Sequence, residues 1–210
     1  MRGIFVTGTD TEIGKTVVSA ALLLRYPGRY WKPIQTGIET DDDTAEIRRL
    51  TGLTNDRDEG VRLPNPVSPH LAAARAGIRI DLETLAECPS EEAWVVEGAG
   101  GVLVPVNETQ TMANLMVRLD LPVIVVARTT LGTINHTLLT MEALRARSLQ
   151  VAGVVMVGEP DSDNRAAIEH YGKTAVLGEM PRFDPFTPAR LAEWARASLD
   201  PDSRLQEFFE

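Results

Sequence analysis

The stretch FVTGTDTEIGKTVVSAALLL, residues 5–24, constrains this chain more than any other. An apolar run from Ile4 to Val6 reads as a buried strand. A loop bounded by Gly8 and Gly14 follows, then Lys15 and Thr16, then an apolar helix from Val17 to Leu24. Strand, glycine-bounded loop, GK[ST] and helix in that order make a P-loop, whose inward N–H groups and helix N-terminus suit a polyphosphate. Lys15 adds a full positive charge, and the Thr16 hydroxyl is a ligand type for Mg²⁺. The spacing departs from GxxxxGK[ST]: five residues separate Gly8 from Gly14, and Thr9 stands where the motif has glycine. A plain glycine turn with a helix cap is the alternative, and the flanking strand and helix argue against it.

At 210 residues the chain is read as one domain, 1–199, followed by an acidic tail, 200–210, that is expected to fray. A hydrophobic fraction of 43% is enough for a sizeable core. The net charge of −9 argues against a nucleic-acid partner, and any polyphosphate must meet cations concentrated locally. Cys88 is the only cysteine, which excludes an internal disulfide and a multi-cysteine metal site. Arg2 is followed by only a short apolar run, and no stretch reaches the roughly 20 apolar residues of a membrane span. A cytoplasmic protein with no membrane partner is expected.

Further along, Arg29-Tyr30-Trp31 begins a short strand that runs into KPIQTG at 32–37, with Pro33 keeping Lys32 extended. Lys32 reads either as a solvated surface charge or as a functional cation. Asp41-Asp42-Asp43 precedes a short helix closed by Gly52, and serves either as an N-cap or as a source of metal carboxylates. Residues 54–66 read as a loop. Ser68-Pro69-His70 opens a helix, and another runs from about Asp81 to Glu87. Trp94-Val95-Val96 is a buried strand delivering Glu97 into Gly98-Ala99-Gly100-Gly101, where open α/β sheets bind ligands; the alternative is a glutamate that merely ends a strand. Met112 to Leu119 reads as a helix, and Leu121 to Ala127 as a strand covered on both faces. RTTLGTINH at 128–136 then leads into a helix, and is either an anion-binding joint or a capped helix start. Val151 to Val157 and Ala175 to Leu177 are further strands, and about Pro188 to Ser198 is the last helix. His70, His136 and His170 show no metal-ligand spacing and no hydrolase constellation. The alternation predicts an α/β fold, a single-domain P-loop NTPase-like, mostly parallel sheet with helices on both faces, its functional joints gathered at strand C-termini.

VTGTDTEIGKT at 6–16, KPIQTG at 32–37, SPH at 68–70, VEGAGG at 96–101, LGTINH at 131–136 and LGEMP at 177–181 together resemble the dethiobiotin synthetase family, over nearly the whole chain. The long P-loop is that family's own form. The resemblance implies closure of the ureido ring of dethiobiotin from 7,8-diaminopelargonic acid, CO₂ or bicarbonate, and ATP, with Mg²⁺, by a homodimer with composite sites. It implies that Lys15 holds the β- and γ-phosphates, that Lys32 holds a substrate carbamate and the transferring phosphoryl group, and that Thr11 and Thr36 bind the substrate head. Lys32, Lys15 and Thr11 are thus its catalytic set. Thr16, Asp43 and Glu97 are its Mg²⁺ ligands, with Asp41 and Asp42 as adjacent registers. Glu12, Ile13, Gly14, Val17, Gly98, Ala99, Gly100, Pro181, Arg182 and Phe183 complete the nucleotide set. Gly132, Thr133 and Asn135 receive the substrate's distal carboxylate from the neighbouring subunit. One departure stands out: Val157-Gly158 occupies the place where the family commonly has an Asn-Asp that reads adenine.

Two rival readings are a P-loop amide-forming ligase and a nucleotide switch of the partition-ATPase class. The first normally carries a glutaminase domain, for which this chain is too short. The second has no need of Lys32, Thr36 or a second anion loop.

Overall fold

The computed structural model describes residues 1–54, 57, 60–87 and 92–210; Cys88 lies outside them. In chain order the elements are β1 (Arg2–Gly8), α1 (Lys15–Arg25), β2 (Arg29–Trp31), β3 (Ile34–Thr36), α2 (Asp43–Thr51), β4 (Val61–Leu63), α3 (Pro69–Arg75), α4 (Leu82–Ala86), β5 (Ala93–Gly101), α5 (Met112–Leu119), β6 (Val123–Arg128), α6 (Thr133–Arg145), β7 (Val151–Val157), α7 (Ser162–Gly172), β8 (Val176–Met180) and α8 (Pro188–Ala197). Six strands form one parallel sheet in the order β2-β5-β1-β6-β7-β8.

The apolar runs fix this arrangement. In β1 every residue after Arg2 is buried, as a strand covered on both faces requires. Successive side chains alternate between two cores. Ile4 and Val6 join Val18 and Leu22 of α1 and Leu191 of α8 on one face, while Phe5 joins Met112 of α5 and Met141 of α6 on the other. Because the strands are parallel, all their C-terminal ends lie at one edge, the edge at which β1 enters its loop.

Two expectations need correction. The strand expected to continue from Trp31 through Gly37 is broken. β2 stops at Trp31 within the main sheet, and β3 leaves it to pair with β4 in a separate two-stranded sheet. Pro33 has no N–H to donate to a ladder, so the strand breaks there. Residues 61–63, read as loop, form β4. So short a strand flanked by turn residues carries little periodicity of its own, and its partner fixes it.

The acidic tail, expected to fray, is packed. Asp200 is buried and accepts hydrogen bonds from Tyr26 Oη (2.6 Å), Leu205 N (2.8 Å) and Arg204 N (3.0 Å). Leu205 and Phe209 are buried, and the Phe209 ring stacks on Tyr26 at 4.8 Å between centroids. Burial first, and then the bond to Asp200, push the Tyr26 phenol up to about 12. Counting acids hid the apolar pair Leu205 and Phe209, spaced to face one way. Among the described residues no helix is long and apolar enough to cross a membrane.

Replacing Asp200 with Ala strands three donors around one buried position. The expected cost is about 3 kcal/mol, which for a domain of this size lowers Tm by roughly 6–12 °C. Thermal unfolding followed by circular dichroism checks this; a fall under 2 °C would show that the tail is not held through Asp200.

Candidate active site

Beyond β1 the loop at residues 9–14 is tied down at several points. Thr9 N donates to Val126 O (3.0 Å) and Thr11 N to Asp10 Oδ1 (2.8 Å). Arg128, at the end of β6, donates to Asp10 Oδ2 (3.0 Å) and Thr11 O (3.3 Å), bracing the outer limb. The longer loop has an inward fold of its own. Ile13 is buried, and its Cδ1 would lie 2.4 Å from a Cβ at position 8, so a side chain there would push Ile13 aside. Gly14, at φ 95°, precedes α1, and Lys15 curls back so that Nζ donates to Asp10 O (2.9 Å). Thr11 and Glu12 are exposed and Val17 is half-buried.

Beside this loop, β5 and β2 deliver a buried charged cluster. Glu97 pairs in register with Val6 of β1 and is 1% exposed. Lys32, just past β2, is 7% exposed. Its Nζ donates to Asp43 Oδ2 (2.5 Å), Glu97 Oε1 (2.9 Å) and Gly98 O (3.2 Å), which uses all three ammonium protons. The Thr16 hydroxyl lies 2.7 Å from Asp43 Oδ1 and 3.0 Å from Glu97 Oε1. On the far side Tyr30 Oη donates to Glu97 Oε2 (3.0 Å). The reading of Lys32 as a solvated charge is therefore excluded.

The N-cap reading of the acidic triplet holds at Asp42, and its neighbour Asp43 joins the buried cluster. Asp42 caps α2 by accepting from Thr44 N and Ala45 N, and pairs with Arg62 at 2.6 Å. Asp43 turns inward, steadied by Gln35, whose Oε1 accepts from Asp43 N (3.3 Å) and whose Nε2 donates to Asp41 O (3.3 Å).

Electrostatics follow from this packing. Burial acts to lower the Lys32 ammonium pKa, but Glu97 and Asp43 outweigh it and hold the pKa above the ordinary lysine value. Burial likewise acts to raise Asp43, and the charge and hydrogen bond of Lys32, with the Thr16 hydroxyl, bring it below the carboxylate range. Lys15 moves the other way: burial, with Lys32 nearby, lowers it against the pull of Glu97, Asp43 and Asp10. Burial, and then the charges of Glu97 and Asp43, push the Tyr30 phenol well above its usual value.

Two carboxylates and a hydroxyl are hard oxygen donors, a set that fits Mg²⁺ with its remaining positions left to water and phosphate. No cluster of three His, Cys, Asp or Glu side chains able to hold a metal occurs among the described residues.

Other sequence-derived residues lie outside this hydrogen-bonded cluster. Thr36 ends β3, half-buried. Gly98, Ala99 and Gly100 continue β5 past Glu97, and only the Gly98 carbonyl touches the cluster. Gly132 is the exposed N-cap of α6, Asn135 is exposed, and Thr133 is buried with Oγ1 donating to Arg128 O (2.5 Å). Pro181 and Phe183 are half-buried and Arg182 exposed, just beyond β8. Sequence reasoning missed Tyr30, Gln35 and Arg128. The signal for Tyr30 was its place two residues before Lys32, on the same strand face.

A family model described as an AAA domain matches residues 2–190. The ATP-dependent dethiobiotin synthetase BioD of Paramagnetospirillum magneticum is 50% identical over 192 residues, covering 91% of this chain and 94% of that protein. The enzyme of the same name from Nitrobacter hamburgensis is 47% identical, over 90% and 91%. The chain belongs to the dethiobiotin synthetase family. Among solved structures, the cell division ATPase MinD of Pyrococcus furiosus superposes with a TM-score of 0.55 at 16% identity, covering all of this chain and 95% of its own, a likeness of fold.

Val157 and Gly158, where the dethiobiotin synthetase family commonly has Asn-Asp, are closely packed. Gly158 sits at φ 141° with Thr129 Oγ1 only 2.3 Å from where a Cβ would be, so a larger residue is excluded without movement. The Val157 side chain faces Gly14, 3.3 Å from where its Cβ would be.

A pH test follows from the cluster. The folded-state pKa of Asp43 is lowered, so its contribution to stability is present above about pH 4 and is lost as pH falls through the folded value. Lys32 is raised, so its contribution is full below about pH 10.5 and is lost as pH rises through its folded value. Asp43→Asn is expected to flatten the acid limb of stability below pH 4 in urea unfolding without nucleotide; an unchanged limb would show that Asp43 is not held by Lys32.

Proposed function

We propose that this chain closes the ureido ring of dethiobiotin from 7,8-diaminopelargonic acid, CO₂ and ATP on the cluster of Lys15, Thr16, Lys32, Asp43 and Glu97. One observation carries the assignment of roles: a buried lysine that polyphosphate binding by a P-loop does not require, Lys32, lies against the two carboxylates beside Thr16. Thr16, Asp43 and Glu97 would hold Mg²⁺, which would supply positive charge to the phosphate oxygens. Lys15 and the N–H groups of the loop bind the β- and γ-phosphates.

The substrate amine, having taken up CO₂, is a carbamate. Its oxygen attacks the γ-phosphorus, and the bond to the bridging oxygen of ADP breaks. The second amine then attacks the carbamoyl carbon, phosphate leaves with the electrons of the C–O bond, and the ring nitrogen loses its proton. The carbamate, the transferring phosphoryl group and the departing phosphate are all anionic, so the work of Lys32 is to place the carbamate oxygen and to offset charge as it develops. Thr11 and Thr36 orient the diamine end, and Pro181, Arg182 and Phe183 contact the base. The protein works in the cytoplasm.

Phosphate release from ATP is expected to need both bicarbonate and the diamino acid; release without either would favour a nucleotide switch. Lys32→Ala is expected to leave ATP affinity within a few-fold and to lower kcat by about 10²–10³. A kcat within threefold of the parent would remove Lys32 from the chemistry.

A homodimer with shared sites is the assembly we infer. It is supported by the wholly exposed Leu131 beside Gly132 and by the half-exposed Leu139 on α6. Gly132, Thr133 and Asn135 would then serve the partner's substrate carboxylate. Inactive Lys32→Ala and Asn135→Ala chains, mixed under conditions where subunits exchange, are expected to regain up to about a quarter of the parent activity, as random pairing restores one site in half the dimers. No recovery with exchange demonstrated would count against a shared site.

Base selection is expected to be loose. With no polar side-chain atom at Val157 or Gly158, the site lacks a hydrogen-bond pair worth on the order of 1 kcal/mol. Comparing kcat/KM for ATP, GTP, CTP and UTP tests this, and a preference for ATP above a hundredfold would refute it.

A further inference from the structure

Glu97 does not present its two carboxylate oxygens alike. Oε1 faces Lys32 Nζ at 2.9 Å and the Thr16 hydroxyl at 3.0 Å, whereas Oε2 accepts from Tyr30 Oη at 3.0 Å. Tyr30 is 1% exposed, and it belongs to the core formed by Ile4, Val18 and Leu22 under α1. Its neighbour Trp31 belongs to the opposite core. β2 thus delivers the phenol and, two residues on, the Lys32 ammonium to one carboxylate from two sides. The strand is fixed in turn by its register, Tyr30 against Val95 and Trp31 against Val96 of β5.

We propose that Tyr30 is a positioning residue for metal–nucleotide binding: by holding Oε2 it fixes the Glu97 carboxylate with Oε1 turned toward Thr16 and the phosphate loop. This rests on the assignment of Thr16, Asp43 and Glu97 as the metal's ligands. The terminal torsion of a glutamate is soft, so without a bond to Oε2 the carboxylate plane is held through Oε1 alone and turns more easily. That freedom must then be lost when the metal arrives. Partners that orient a ligating carboxylate in this way typically contribute 10–100-fold to metal affinity.

The test is calorimetric titration of ADP in EDTA and in Mg²⁺, for the parent, Tyr30→Phe and Tyr26→Phe. Tyr26 loses a buried hydroxyl in the same core but far from Glu97, and so controls for stability. The expected result is that Mg²⁺ tightens ADP on the parent and on Tyr26→Phe equally. On Tyr30→Phe that gain should be about tenfold smaller, while affinity in EDTA stays within twofold. Only folded molecules bind ADP, so a partly unfolded sample lowers the stoichiometry and leaves the ratio unchanged. The Mg²⁺ concentration for half-maximal turnover should rise by a similar factor with an unchanged KM for the diamino acid. Tyr30→Phe combined with Glu97→Gln should lose no more than Glu97→Gln alone. A parent-like ratio in Tyr30→Phe, or losses that add in full in the double variant, would overturn the role of Tyr30 alone. A parent whose ADP affinity ignores Mg²⁺ would overturn the metal assignment and this inference with it.

Discussion

Lys32 between Asp43 and Glu97 is the interaction on which the rest of this site depends. Taking three charged groups out of water is costly, and an apolar set of the same shape would hold the fold as well or better. The cluster is therefore poor evidence of a need for stability and good evidence of a use, since buried groups with displaced pKa values gather where chemistry is done. Its charges are arranged so that burial is tolerable. Lys32 and Lys15 balance the two carboxylates, and every ammonium proton of Lys32 has an acceptor. Two cations are gathered at one site, which an acidic chain of net charge −9 does not imply.

The sheet order supplies what the cluster needs. β1 sits beside β5, and β5 beside β2, so the loop that follows β1, the carboxylate of β5 and the lysine after β2 meet at one edge. α1 packs on the face where Glu97 and Tyr30 lie, bringing Thr16 to the carboxylates. The far end of α1 is anchored as well. Arg25 donates to Arg196 O and Asp200 O, and Tyr26 is held by Asp200 and covered by Phe209. The helix that begins at the phosphate loop is thus also held at its last turn by the C-terminal segment.

The parallel α/β fold was legible because its strands are continuous apolar runs and its first joint carries a local motif. Lys32, Asp43 and Glu97 were legible as candidates because each follows a strand or opens a helix, and because the resemblance singled them out. What escaped depends on partners distant in sequence. β4 exists through β3, the tail packs through Tyr26, and Arg128 braces the loop across 118 residues of chain. Tyr30 and Gln35 escaped for another reason: an aromatic and an amide beside apolar residues read as core filling, and only their contacts reveal which carboxylate or backbone group they hold.

A fold shared with cell division ATPases does not distinguish a switch from a ligase; on the proposed reading the side chains at the strand ends do. In the free protein Lys32 faces anionic oxygens at hydrogen-bond distance, and a carbamate or a phosphoryl group offers it more of the same. On the role proposed for Lys32, substrate arrival would exchange one set of anionic partners for another. The ammonium is already out of water, so the cost of removing its hydration was met when the chain folded and is not incurred again during the reaction. An exposed lysine at the same place would have to shed water and order its side chain with each turnover. On the proposed role, the burial of Lys32 is part of what it would contribute: a charge preset in a low-dielectric site, where it would act more strongly on developing negative charge than in water.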